Sequence, residues 1–295
     1  MGCRLCPREC NADRENGQKG YCGETASLRV ARAALHMWEE PCISGNTGSG
    51  TVFFSGCPLH CVFCQNSAIS KGAAGKVIAP ERLAEIFLEL QKKDACNINL
   101  VTPTHFIPQI ISALKTAKAD GLSLPIVYNT GGYEKAETIR LLEGLIDIYL
   151  PDFKYISARL SARYSGAPDY FTAARAALSE MFRQVGRPVF DTQTNLMKRG
   201  VIVRHLLLPG HLADSRKVMD YLYQTYHNDI YISIMNQYTP MRTFPDMPRL
   251  NRRVSHKEYN TLVDYCLSIG IENGFIQEGE TASESFIPPF DLEGV

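Results

Sequence analysis

The sequence predicts the α/β class, with parallel strands curled into a partial barrel and a Cys-rich extension at the N-terminus. Two observations predict the barrel. Beyond residue 50, short β-branched or aromatic runs alternate with longer helical patterns, as in repeated βα units. The helical stretches carry apolar residues at i, i+3, i+4 and i+7, which puts one stripe of each helix on a sheet. A third observation predicts the extension: of ten cysteines, Cys3, Cys6, Cys10, Cys22, Cys57, Cys61 and Cys64 fall in the first 64 residues, in two groups.

Taken in order, strands are expected near 51–55, 98–101, 126–129, 146–150, 201–207, 230–235 and 274–277. The helix after the first of these starts at Pro80, where a missing N–H costs nothing, and carries Leu83, Ile86, Phe87 and Leu90 on one face. Similar stripes run through 134–145, 169–185, 214–226 and 256–269, the last closed by Gly270 as a C-terminal cap. Thr239 to Pro248 lacks periodicity and reads as loop. Six or so βα units make a (β/α)6-type, TIM-like barrel over 49–278, preceded by a metal-binding extension over 1–48 and followed by a C-terminal extension over 279–295. In such architectures chemistry sits just beyond the carboxyl ends of the strands, which orders the search for a site.

The bulk properties exclude several classes. Hydrophobic residues make up 45% and charged residues 21%, enough for a packed core and unlike a disordered chain. Thirty-one basic and 31 acidic residues cancel, so no net field advertises nucleic acid or an anionic membrane as partner. No apolar run is long enough to span a bilayer, and Met1-Gly2-Cys3-Arg4 does not open a secretory signal, so a cytoplasmic location is expected. In that reducing compartment clustered cysteines read as metal ligands rather than disulfides.

Directly after the strand Thr51 to Ser55 come Gly56-Cys57-Pro58-Leu59-His60-Cys61-Val62-Phe63-Cys64-Gln65-Asn66. A [4Fe–4S] cubane normally takes four thiolates, so a loop offering three leaves one iron open to another ligand. Zinc is the rival, but these gaps do not make the paired Cys-x2-Cys halves of a structural zinc site. Cys57-x3-Cys61-x2-Cys64, with Phe63 before the last cysteine, resembles the signature of the radical S-adenosylmethionine (SAM) superfamily. The fuller run from Phe53 to Asn66 more closely resembles the pyruvate formate-lyase activating enzyme-like, glycyl-radical activase-related subgroup. The resemblance implies that SAM chelates the open iron and is reduced to a 5′-deoxyadenosyl radical that abstracts hydrogen. It also implies an electron donor such as flavodoxin or ferredoxin, and a glycyl-radical enzyme as partner. Phe63 would then pack beside the adenine, or simply anchor the loop.

Polar residues end the later strands. Asn129 and Thr130 precede the Gly131-Gly132 pair and match family positions near the SAM carboxylate, where a monovalent cation can sit; Asn in place of the family's acid removes the charge such a cation needs. Asp152 and Lys154, two apart at a strand end, share one face, and buried charges need partners. By resemblance both lie in the SAM pocket, as does Arg204, with His205 on the opposite face of its strand. Lys154 and Arg204 join the three cysteines as expected catalytic residues. Many radical SAM enzymes carry a Gly-Gly-Glu-like stretch after the second strand that binds the SAM amino group. Here that place reads Thr102-Pro103-Thr104-His105, and His105 is the cofactor-binding candidate. Asn236 and Gln237 are weaker candidates at a later strand end.

Cys3-x2-Cys6-x3-Cys10-x11-Cys22 supplies four thiols, enough to saturate a second metal site, either zinc or an iron–sulfur cluster. Cys42 could replace one of the four, face the active site or act as a small buried hydrophobe, and Cys96 and Cys266 read as core. Three functions follow. The first is a SAM-cleaving enzyme passing its radical to a Gly of a partner; the second modifies a peptide side chain or small metabolite; the third is a non-catalytic iron–sulfur electron-transfer or sensing protein. The substrate itself is not encoded in any residue pattern.

Overall fold

A computed structural model describes residues 2–277 and 287–295. Ten strands form one sheet: β1 (Arg29–His36), β2 (Ser49–Phe54), β3 (Lys76–Val77), β4 (Ile98–Val101), β5 (Ile126–Thr130), β6 (Ile148–Pro151), β7 (Val189–Phe190), β8 (Met197–Leu206), β9 (Tyr231–Met235) and β10 (Gly274–Ile276). The order is β10-β9-β8-β6-β5-β4-β2-β1-β3, with β7 paired to β8. From β2 to β10 along that path every pairing is parallel, whereas β1 runs antiparallel to both β2 and β3. No pairing among the described residues joins the two edges, so the barrel is open on one side.

The helices are α1 (Pro41–Ser44), α2 (Ser67–Ser70), α3 (Pro80–Lys92), α4 (Ile107–Ala119), α5 (Ala136–Arg140), α6 (Ala158–Ser165), α7 (Tyr170–Val185), α8 (Leu212–Tyr226) and α9 (His256–Ser268). The expected α3 stripe is as read: Leu83, Ile86, Phe87 and Leu90 are all buried. Each such side chain contributes about 1.5–3 kcal/mol of hydrophobic burial. Pro80 opens α3, and α9 starts on a reciprocal capping box between Ser255 and Glu258. The stripe expected over 134–145 is shorter, helical only in α5, because the chain turns at 141–145 to feed β6.

Alternation along the parallel strands divides the core. Tyr128 and Tyr149 point outward into the large layer under the helices, while Val127, Ile148, Leu150 and Ile202 point inward. Cys42 and Ile43 of α1 fill the inner space, closing the barrel beneath its mouth. Cys42 is thus a small buried hydrophobe, as is Cys266 in the outer layer, whereas Cys96 is half-buried and bonded to the Ser44 carbonyl.

The sequence boundary at 48/49 falls between β1 and β2, which are paired along most of their length. The expected extension therefore contributes one strand, β1, to the sheet. What stands apart is 2–28, which holds only one 3-10 turn, Arg14–Asn16. At the other end, residues 279–286 of the expected extension and residue 278 lie outside the described residues. Residues 287–295 run along β1: the Ala33 amide donates to the Glu293 carbonyl at 2.8 Å, and Arg32 holds Asp291 and Glu293. No helix among the described residues is long and apolar enough to cross a membrane.

Candidate active site

β2 ends at Phe54, and the chain turns at once into the loop carrying Cys57, Cys61 and Cys64. All three face a cavity of about 420 Å³ at the carboxyl ends of the parallel strands. Asn129, Thr130, Asp152, Lys154 and Arg204 line the same cavity, so the structure brings together polar residues from β5, the end of β6 and β8. Phe63 also lines it, buried and set edge-to-face against Tyr164 and Tyr238. That contact makes Phe63 an anchor for the loop as well as part of the wall.

The three thiols fit a cluster on chemical grounds. Burial pushes Cys57 up to about 11 and Cys64 up to about 12, each raised further by a neighbouring cysteine of the loop, and it raises Cys61 too. Three buried thiolates side by side are unfavourable without a cation, so the set favours a positively charged group and would release protons on taking it up. Two protein groups already address the sulfurs: the Leu59 amide donates to Cys57 Sγ at 3.4 Å, and Ser165 Oγ lies 3.0 Å from Cys61 Sγ. Among the described residues no three His, Cys, Asp or Glu side chains gather tightly enough for one ion. Three thiols on one loop suit a cluster, which spreads its thiolates over separate irons.

Lys154 Nζ is paired with Asp152 at a short distance. Burial disfavours the ammonium, but the Asp152 carboxylate and the Cys61 sulfur outweigh it and hold Lys154 above its ordinary range. The pair is placed by backbone: the Asp152 amide donates to the Thr130 carbonyl at 2.8 Å and the Phe153 amide to that of Arg204 at 2.7 Å. Gly132 makes room, since a Cβ there would stand 2.1 Å from the Asp152 carbonyl oxygen.

Arg204 does not stand free. Its Nε donates to Glu40 Oε1 at 2.9 Å, its Nη2 to Glu40 Oε2 at 2.5 Å, and Nη2 also meets Glu39. Asn99 Nδ2 donates to Glu39 at 2.8 Å from below. Burial works against the Glu40 carboxylate, but Arg204 outweighs it and keeps Glu40 below its ordinary range. Glu39 and Glu40 precede α1, and both line the cavity. Sequence reading missed this role: the two acids stand in plain view before Pro41, but their cation lies 164 residues away from Glu40.

His105 is not brought to the cavity. Its Nε2 sits 2.6 Å from the Ser55 carbonyl, behind the end of β2, and burial pushes it down to about 3, so it is neutral. His205 faces the outer layer, between the Phe153 carbonyl and Ser215, opposite to Arg204 as expected from strand alternation. Of the stretch standing where the Gly-Gly-Glu would be, Thr102 reaches the cavity, whereas Thr104 turns outward to Glu134 at 2.5 Å. Thr130 also spends its hydroxyl on Glu134. Gln237 lines the cavity; Asn236 does not.

Cys3, Cys6, Cys10 and Cys22 lie together in the irregular 2–28 segment, which packs on the back of the cysteine loop: the Cys57 amide donates to the Cys22 carbonyl at 3.2 Å.

Comparisons with known proteins agree with this layout. A family model described as Radical SAM superfamily matches residues 51–222. The chain is 30% identical over 266 residues to "Uncharacterized protein MJ0674" of Methanocaldococcus jannaschii, covering 87% of this chain and 71% of that one. Among solved structures it is similar to Streptococcus suis SuiB bound to S-adenosylmethionine, with a TM-score of 0.52 at 10% identity. It is similar also to SuiB bound to precursor peptide SuiA, with a TM-score of 0.50 at 10% identity. Each match covers 76% of this chain, which spans about half of SuiB, 49% and 46%. At that identity the likeness is one of fold.

Proposed function

The chain belongs to the radical SAM superfamily, and from that premise we propose that Cys57, Cys61 and Cys64 hold the [4Fe–4S] cluster and that SAM binds in the cavity they face. The superfamily is one of enzymes that use a [4Fe–4S] cluster and SAM. When bound, the two supply one-electron reductive cleavage of the sulfonium and, through it, abstraction of a hydrogen atom from a substrate. The observation that carries this reading is one cavity at the strand ends, with three buried thiols on one wall and Asp152, Lys154 and Arg204 on the other.

The chain's own residues bind, orient and exclude water. Lys154 offers a cation to the carboxylate of SAM, and Asp152 keeps that cation charged and aimed. Asn129 presents an amide from β5, and Phe63 an aromatic face. Arg204, fastened by Glu39 and Glu40, acts as a fixed wall rather than a mobile clamp. Leu59 and Phe63 shield the cysteine loop from bulk water.

The run from Phe53 to Asn66 supports a finer reading, that of an activating enzyme-like oxidoreductase working on a Gly of a glycyl-radical enzyme in the cytoplasm, with a flavodoxin or ferredoxin as reductant. A peptide substrate is the second reading, supported by the complex of the similarly folded SuiB with its precursor peptide. Anaerobically reconstituted protein with dithionite and SAM should produce 5′-deoxyadenosine. An intact cluster that yields none would return the chain to the non-catalytic class. A glycyl radical signal in a candidate partner separates the two substrate readings.

A further inference from the structure

We propose that Ser165 is a positioning residue for the cluster loop: its hydroxyl, backed by that of Tyr155, donates to the Cys61 sulfur and sets the potential at which the cluster is reduced. The proposal rests on the reading of Cys57, Cys61 and Cys64 as cluster ligands. Its three residues come from separate places in the chain, the cysteine loop, the loop between β6 and α6, and the last residue of α6.

Ser165 Oγ stands 3.0 Å from Cys61 Sγ on one side and 3.0 Å from Tyr155 Oη on the other. Ser165 and Tyr155 are 2% and 1% exposed, so water does not compete for either hydroxyl. A serine hydroxyl has one proton and donates to one neighbour only. While Cys61 is a thiol, either order of donors is open. A thiolate on iron has no proton and can only accept, so the Ser165 proton then points at sulfur and the Tyr155 proton at Ser165 Oγ. Burial holds the Tyr155 phenol well above its ordinary range, which keeps that proton in place. Two buried hydroxyls in line polarise each other, and the inner bond is stronger than a lone serine would make it.

The contact is held from both sides. The Val62 amide, next to Cys61, donates to the carbonyl of Tyr164, next to Ser165, at 2.9 Å. Arg8 closes the other side. Its Nε donates to the Pro58 carbonyl of the cysteine loop at 2.7 Å, its Nη2 to the Ser165 carbonyl at 2.9 Å and its Nη1 to the Gly166 carbonyl at 2.5 Å. A planar fork of donors suits such a bridge, and the guanidinium is steadied on the Tyr21 ring, 4.1 Å from its centroid. Gly166, left-handed at φ 57°, ends α6 and fixes Ser165 as its final residue.

Cys61 is thereby set apart from its neighbours. Cys57 receives the Leu59 amide of its own loop, whereas among the described residues Cys61 alone of the three meets a side-chain hydroxyl. Donation to a ligating sulfur withdraws charge from the cluster and favours the reduced form, which carries one more electron, so it raises the reduction potential. Lys154 favours negative charge on Cys61 and Asp152 opposes it. The Ser165–Tyr155 pair is neutral and acts without a counter-ion.

The potential of the anaerobically reconstituted cluster is measured by EPR-monitored redox titration without SAM, with iron counted on each sample. Ser165→Ala should keep wild-type iron and lower the equilibrium constant for one-electron reduction at least tenfold, about 59 mV for a one-electron couple. Tyr155→Phe keeps the ring and the Ser165 donor, and should shift the potential in the same direction by less. Proton ENDOR of the reduced cluster, before and after exchange into D2O, should show one exchangeable proton fewer in Ser165→Ala than in wild type or Tyr155→Phe. An unchanged potential in either variant at wild-type iron, or an unchanged ENDOR spectrum in Ser165→Ala, overturns the proposal. Should Ser165→Ala fail to hold iron, Tyr155→Phe carries the test alone. Iron unaffected by Cys61→Ala defeats the reading of the loop as a cluster site, whereas a cluster lost in Cys61→Ala but unshifted in potential by Ser165→Ala defeats the tuning alone.

Discussion

Replacing Arg204 by Leu isolates what the Glu39–Arg204–Glu40 group does in the cavity wall. The three side chains are 7%, 13% and 6% exposed, so the variant leaves two carboxylates side by side, out of water and without their cation. Breaking a buried pair by removing one partner costs about 3–5 kcal/mol. For 295 residues, an unfolding entropy of about 0.6 kcal/mol/K turns that loss into a fall in Tm of about 5–8 °C. Urea and thermal unfolding of the cluster-loaded protein, followed anaerobically by circular dichroism, measure it. The pH dependence has a distinct sign. In the wild type, Glu40 lies below its ordinary 4.5, so its contribution is full at neutral pH and is lost only as pH falls through that lowered value. In the variant, burial without its cation raises the Glu40 carboxyl, so the destabilisation is greatest at neutral pH and shrinks on acidification. The gap between the two proteins should therefore narrow from pH 8 to pH 5. Adding Glu39→Gln and Glu40→Gln to Arg204→Leu removes the stranded charges and should recover most of the loss. A loss under about 1 kcal/mol, or a gap that does not change with pH, refutes the reasoning.

Three further outcomes are expected. Cys57→Ala, Cys61→Ala and Cys64→Ala should each abolish 5′-deoxyadenosine formation and lower iron by about four per chain, read by metal analysis; full iron in any of them removes that thiol from the site. Lys154→Met should weaken SAM binding at least tenfold, about 1.4 kcal/mol, in equilibrium dialysis of the reconstituted protein, and wild-type affinity would place Lys154 outside the SAM pocket. Glu134, buried between Thr104 and Thr130, is pushed by burial up to about 7 from 4.5. The unfolded chain ionises it first, so it costs stability progressively as pH rises from 4.5 through 7. Glu134→Gln should flatten that slope in urea midpoints taken across the range, and an unaltered slope would assign it to other groups.

Much of the architecture is legible in the chain because it depends on neighbours in sequence. Strands buried on both faces read as apolar runs, and β4 is Ile98–Val101 as expected. Amphipathic helices announce themselves by period, and Pro80 and Gly270 mark ends where their backbone chemistry requires. β1 escaped because Arg29, Arg32 and His36 break its apolar pattern, and those residues meet Glu24, the C-terminal segment and the cavity respectively. α4 escaped although its burial is regular, since Ile107 to Ala119 continues from the 3-10 turn Thr104–Phe106 with no side-chain cap to announce it.

The sequence by itself determined the chemistry that three closely spaced thiols can support, because Cys57, Cys61 and Cys64 share one loop and their spacing constrains their ligand geometry before any fold exists. It also placed Asp152 and Lys154 on one face, since strand alternation is local. Only the tertiary structure decided that Arg204 is fastened by Glu39 and Glu40, that His105 stands behind β2 instead of in the cavity, and that Cys22 touches Cys57. Each of these is a contact between residues remote in sequence. Such contacts are selected by the closing of the sheet and the burial of charge, and no short-range pattern encodes which partner a buried charge will find.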